Sequence, residues 1–157
     1  MSSVAITDIG SLVTNDRELG ESALGIRSNA AIVVADGKVA WIGDSDKVAD
    51  TDIVVSVSGK SVVPGFVDSH AHLVFTADRS EEFSARMNGE SYSAGGIKTT
   101  VAATRAASDA TLRENTARLV SELHRSGVTT FESKSGYALD VENEARILRI
   151  GRKLFRL

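Results

Sequence analysis

His70 and His72, one residue apart, follow Asp68 in the run Pro64-Gly65-Phe66-Val67-Asp68-Ser69-His70-Ala71-His72-Leu73. Side chains on a β-strand alternate between faces, so Asp68, His70 and His72 share one face. Strand rise puts two such imidazoles about 6.6 Å apart at Cα, close enough to converge on one metal ion. Asp68 is suited to orient a ligand as a neighbouring carboxylate. A bare His-x-His is equally what two polar residues on the wet side of a strand look like. Here, however, the histidines end an apolar strand, and the active sites of α/β barrels gather at C-terminal strand ends. The chain has no cysteine, which excludes thiolate ligands, disulfides and thiol nucleophiles together. Any metal would be held by histidine and carboxylate.

Positioning such a pair requires a folded scaffold, and the composition supplies one. Of 157 residues, 42% are hydrophobic and 25% charged, near the averages for soluble globular chains. Eighteen Lys+Arg against 21 Asp+Glu leave a net charge of −3 with no basic block, so nucleic acid is not an expected partner. The opening residues Met1 to Asp8 lack the basic and apolar regions of a secretory signal. The longest apolar runs, such as Ala30–Ala35, fall far short of the ~20 residues that span a membrane. These features predict a soluble, cytoplasmic protein with no membrane partner.

The pattern changes character near Gly59–Pro64. Before it, Val4–Val13, Ala30–Ala35, Lys38–Ile42 and Asp52–Val57 read as short strands, the middle two joined by the hairpin dipeptide Asp36-Gly37. They predict a small antiparallel sheet or half-sandwich. After it, strand and helix alternate. Gly65–Val74 reads as a strand; Ser108 caps a helix with Leu112, Thr116, Leu119, Val120 and Leu123 at helical spacing. Gly127 stands at a helix C-cap, and Val128–Phe131 resumes as a strand. Asp140 opens a last helix on which Val141, Ala145, Leu148 and Arg152 share a face, with acidic residues first and basic residues last, as the helix dipole favours. Such alternation predicts βαβ units and a parallel sheet. Two parallel strands are too few to bury both faces, so either a partner or further chain is expected.

Pro64–Leu73 resembles the first barrel strand of the amidohydrolase superfamily, whose members carry a metal-binding His-x-His there. Within that superfamily, four further runs resemble the imidazolonepropionase family of histidine degradation. They are Val74-Phe75-Thr76-Ala77-Asp78-Arg79-Ser80-Glu81-Glu82-Phe83, Ala103-Thr104-Arg105-Ala106-Ala107-Ser108, Gly127-Val128-Thr129-Thr130 and Lys134-Ser135-Gly136-Tyr137-Ala138-Leu139-Asp140. The resemblance implies an α/β fold. Residues 1–63 would be a small N-terminal β-sandwich portion, and residues 64–157 the first βα units of a TIM-type (β/α)8 barrel. That barrel would be incomplete here, because a whole one takes ~250 residues.

The same resemblance makes His70 and His72 ligands of a single zinc or iron ion, and Arg79 and Tyr137 substrate-binding residues. A guanidinium fork suits a substrate carboxylate; alternatively, Arg79 pairs with Glu81 or Glu82, and Tyr137 packs on the barrel rim. Lys134 is expected to be structural, because the family uses one metal, and His124 an ordinary helix-surface residue. The implied reaction is hydrolysis of the cyclic amide of 4-imidazolone-5-propanoate to N-formimidoyl-L-glutamate, a small-molecule substrate bearing a carboxylate. A metal ion assists such hydrolysis by activating water and polarising the carbonyl. No acid or base for it falls within this chain, and a homodimer is implied for the complete protein. The sequence departs from the family in having Thr76-Ala77 where glycines are usual, and in being several residues shorter between Tyr92 and Gly95. The other readings are a non-catalytic fragment that needs a partner chain, or a different cyclic-amide amidohydrolase.

Overall fold

Asp36 and Gly37 adopt φ of 52° and 72°. Two successive left-handed residues are what the tightest hairpin turn needs, and they join β2 (Ile26–Ala35) to β3 (Lys38–Asp44) in antiparallel register. The computed structural model describes residues 2–77, 80–89 and 95–154, and the chain divides into two units, Met1–Pro64 and Gly65–Leu157.

In the first unit, β1 (Ser3–Val13) is the central strand, paired antiparallel with β2. A bulge interrupts β1 between Ile6 and Ile9, where Asp8 takes φ 55° and its N–H donates to Ser45 Oγ at 2.9 Å. The far edge of β1 is occupied in succession by β4 (Ile53–Ser56) and β5 (Ser61–Val62), both parallel to it. The sheet is therefore mixed, with the order β3-β2-β1-β4, rather than the antiparallel sheet predicted above. The cause is the connection after β3. It contains a single 3-10 turn, Ser45–Lys47, and crosses to the opposite edge of β1 instead of doubling back as a hairpin. The chain then steps past the β1 bulge through Ser58 and Gly59, at φ 51° and 81°, with Gly59 N–H donating to Asp8 O at 2.7 Å. Ile9, Leu12 and Ala30 form the core, packed by Ile6, Ile32, Ile42, Val57 and Val62.

The second unit contains β6 (Phe66–Ala71), α1 (Ser80–Met87), α2 (Gly95–Ala106), α3 (Asp109–Arg125), β7 (Val128–Ser133) and α4 (Val141–Leu154). β6 and β7 pair in parallel. Ser108 caps α3, its Oγ accepting from Thr111 N–H at 3.1 Å, and Gly127 at φ 89° ends the turn leading to β7. Val74, Leu112, Ala138, Ile147 and Ile150 form the core, joined by Ala107 and Leu154. The buried residues of α4 are thus Ile147, Ile150 and Gly151, with Leu154 half-buried beside them. Val141 and Leu148, which the sequence reading put on one face, are exposed. Neither α1 nor α2 is legible from hydrophobic spacing. On α2 the buried positions are Gly96, Thr100, Val101 and Thr104, a stripe whose threonines carry little hydrophobic signal.

Candidate functional site at the ends of β6 and β7

β6 ends at Ala71, shorter than the Gly65–Val74 strand read from sequence, so His70 is its last histidine and His72 lies one residue beyond. The chain leaves the strand there because Leu73 and Val74 turn into the core, where they are 5% and 2% exposed. Helical side chains take over the backbone groups that strand pairing no longer uses. Thr116 Oγ donates to Leu73 O at 3.2 Å and Asn115 Nδ2 to Phe75 O at 2.7 Å. Thr104 Oγ both donates to Thr76 O, at 3.3 Å, and accepts from Thr76 N–H, at 3.2 Å.

The two imidazoles meet edge to face, their ring centroids 5.2 Å apart. His70 is exposed and His72 half-buried. Asp68 accepts a hydrogen bond from the backbone N–H of His70 at 3.1 Å, so it steadies the strand end rather than an imidazole. His72 Nδ1 is buried and has no hydrogen-bond partner among the described residues. Buried polar atoms are almost always paired, and an orphaned imidazole nitrogen is a good donor for a metal ion or a ligand proton.

β7 brings the second half of the site. Lys134 N–H donates to Ala71 O at 2.8 Å, tying the two strand ends together, and Lys134 Nζ pairs with Glu132 at 2.7 Å. The loop that follows lies against His72. At Gly136, φ is 143°, and a Cβ there would stand 2.8 Å from His72 Cε1, so only glycine fits without displacement. The Tyr137 ring is 5.2 Å from the His72 ring and 5.1 Å from Phe75. His72, Tyr137 and Phe75 thus form one aromatic wall beside the buried nitrogen.

Two charged residues that sequence reasoning did not single out hold this loop. Glu144 accepts backbone N–H bonds from Gly136, Ala138 and Leu139 at 2.7, 2.8 and 2.7 Å. Burial pushes its carboxyl up, but the three N–H donors outweigh that and leave it below the usual glutamate range. Arg105, from α2, donates through Nε to Ala138 O at 2.6 Å and pairs with Asp140 at 2.9 Å. Asp140 is also held low, chiefly by the Asn143 N–H, which donates to its carboxylate at 2.8 Å. The signal for Arg105 was its place in Ala103–Ser108; for Glu144 there was only its charge in the first turn of α4.

Among the described residues there is no group of three or more His, Asp or Glu able to hold a metal ion. Among the described residues the site therefore offers two adjacent imidazoles and no third protein ligand. Arg79 and the Tyr92–Gly95 departure lie wholly or partly outside the described residues. His124 is exposed in the last turn of α3. Among the described residues no helix is long and apolar enough to cross a membrane.

No protein-family model matches the chain. It is 57% identical over 151 residues to an imidazolonepropionase of Streptomyces griseus and 56% identical over 150 residues to one of Nocardia farcinica. Each match takes in 96% of this chain and 39% or 38% of the relative, so the chain spans about two fifths of the length of these proteins. Among solved structures, Escherichia coli guanine deaminase superposes with a TM-score of 0.61 at 25% identity, over 94% of this chain and 33% of that one. A variant of atrazine chlorohydrolase from Arthrobacter aurescens, complexed with zinc and atraton, superposes with a TM-score of 0.58 at 16% identity, over 96% and 33%. These neighbours support an amidohydrolase-type α/β fold.

Proposed function

We propose that this chain, homologous to imidazolonepropionases along nearly its whole length, carries the His-x-His metal ligands and part of the substrate wall of such an enzyme. The reaction is hydrolysis of the cyclic amide of 4-imidazolone-5-propanoate to N-formimidoyl-L-glutamate. Residues 1–63 correspond to the small β domain, and residues 64–157 to the first βα units of a (β/α)8 barrel. The observation that carries the reading is the juxtaposition of His70, His72 and Tyr137 around a buried, unpartnered imidazole nitrogen.

His70 and His72 would hold one zinc or iron ion, imidazole being a good ligand for both. When bound, that ion supplies a Lewis acid that polarises the ring carbonyl and favours attack by water. Tyr137 and Phe75 offer flat apolar faces to the imidazolone ring, and the Tyr137 hydroxyl offers a hydrogen bond at its edge. Arg79 is assigned the propanoate carboxylate, for which a planar guanidinium is the best-matched side chain. No acid or base for the proton transfers is assigned within this chain. A homodimer and a cytoplasmic setting go with the same reading.

Catalytic metal sites take three or more protein ligands plus an open position, and the described residues provide two. The expected outcome is therefore weak zinc binding and no turnover by the purified chain. Equilibrium dialysis should show binding abolished by His72→Ala and untouched by His124→Ala. Equal zinc uptake by His72→Ala and the unaltered chain would sink the assignment. Retention of stoichiometric zinc through gel filtration, with loss of substrate absorbance, would overturn the claim of incompleteness.

A further inference from the structure

The sequence reading gave Glu144 no role at the site, yet its carboxylate accepts three backbone N–H bonds from the loop that carries Tyr137. Oε2 takes the Gly136 N–H at 2.7 Å; Oε1 takes those of Ala138 at 2.8 Å and Leu139 at 2.7 Å. These donors flank Tyr137 on both sides, so the carboxylate clamps the backbone from which the phenol ring projects. Bonds to an ionised acceptor are roughly twice as strong as neutral ones. The clamp also holds strain, because Leu139 sits at φ 56°, a conformation that a side chain disfavours. Glu144 is itself fixed by its helix, whose Ile147 and Ile150 are buried in the core one and two turns on. Arg105 completes the grip from the other side through Ala138 O and Asp140.

We propose that Glu144 is a positioning residue, its carboxylate fixing the backbone around Tyr137 and so setting the phenol ring over His72. The proposal deepens the reading above, in that it matters for substrate only if His72 and Tyr137 face metal and substrate. The test uses the chain as it stands. With the Tyr137 ring 5.2 Å away, the carbon-bound protons of the His72 ring carry a ring-current shift in the NMR spectrum. Tyr137→Leu gives the value without it. Glu144→Gln keeps the side-chain size but replaces one acceptor oxygen with an NH2 group.

The expected result is that Glu144→Gln moves the His72 resonances to their Tyr137→Leu positions. The Gly136, Ala138 and Leu139 amides should exchange faster, while the Met1–Pro64 amides stay unchanged. Ile150→Val, a core change that lowers stability without touching the loop, should leave His72 where it is; a shift of His72 in that control equal to that in Glu144→Gln would reduce Glu144 to a structural role. Unmoved His72 resonances in Glu144→Gln overturn the proposal. If that variant does not fold, the unaltered chain decides: its three clamped amides must exchange slowly, and exchange as free as in an exposed loop overturns the clamp. Zinc addition separates this from the reading beneath it. His72 resonances indifferent to zinc would remove the metal assignment while leaving the clamp in place.

Discussion

Gly136 shows how little tolerance the site has at single atoms. Its φ of 143° and the 2.8 Å gap between a notional Cβ and His72 Cε1 mean that Gly136→Ala must push either the loop or the imidazole. Backbone strain of this kind costs about 1–3 kcal/mol. Gly136→Ala is therefore expected to lower unfolding stability by that order and to displace His72, read by urea denaturation and by the His72 ring resonances. An unchanged midpoint and unchanged resonances would show that the loop has more room than the geometry allows. His70 and His72 were legible because their chemistry is local and the motif sets their spacing, whereas Tyr137 was singled out only through the family resemblance. Glu144 was not, because a glutamate in the first turn of a helix is what the helix dipole would place there anyway. Only the folded loop shows that its carboxylate faces three inward N–H groups.

At the scale of elements, the anchoring of α4 is ionic at its start and along its length. Arg146 Nε donates to Asp109 at 2.7 Å, which holds that carboxyl below its ordinary range; Asp140 and Glu144 are held low by backbone donors. Each binds its proton more weakly folded than unfolded. Their contribution is thus fully present above the ordinary carboxylate range of about 4, and lost as pH falls through it toward the depressed folded values. Denaturant midpoints of the Gly65–Leu157 unit, followed by circular dichroism, should be flat from neutral pH to about pH 5 and fall below that. A midpoint that holds steady to about pH 3 would show that these contacts contribute nothing. The same scale explains what the sequence concealed. β2, β3, α3 and β7 announce themselves through turn dipeptides, caps and apolar spacing, whereas α2 buries threonines. One of those hydroxyls is spent on the chain after β6, where Thr104 bonds both backbone groups of Thr76, while Thr100 donates to Gly96 O within the helix.

At the scale of the molecule, apolar surface is left uncovered in both units. Phe66 and Val67 on β6 are 60% and 69% exposed, and Ile53, Val54 and Val55 on β4 are exposed as well. Among the described residues β6 and β7 pair only with each other, so each presents an open edge. Parallel sheets are stable when covered on both faces, and open edges invite pairing with other chains. The chain is expected to self-associate with rising concentration, and Val67→Lys to reduce that association in sedimentation velocity. A chain that stays monomeric at every concentration, with or without Val67→Lys, would show that these edges do not pair.

Local chemistry fixed much of this protein in the linear sequence: the His70/His72 pair, the Asp36-Gly37 hairpin, the Ser108 cap and the change of pattern near Pro64 all depend on neighbours a few residues apart. Contacts between distant segments were decided only in three dimensions. The step of β4 and β5 onto one edge of β1 follows from a bulge at Asp8 meeting a left-handed pair at Ser58 and Gly59. The clamp on Tyr137 joins α2, the loop after β7 and α4, through Arg105 and Glu144. Such contacts leave no periodic trace, because a single hydrogen-bonding side chain satisfies backbone groups wherever the fold delivers them.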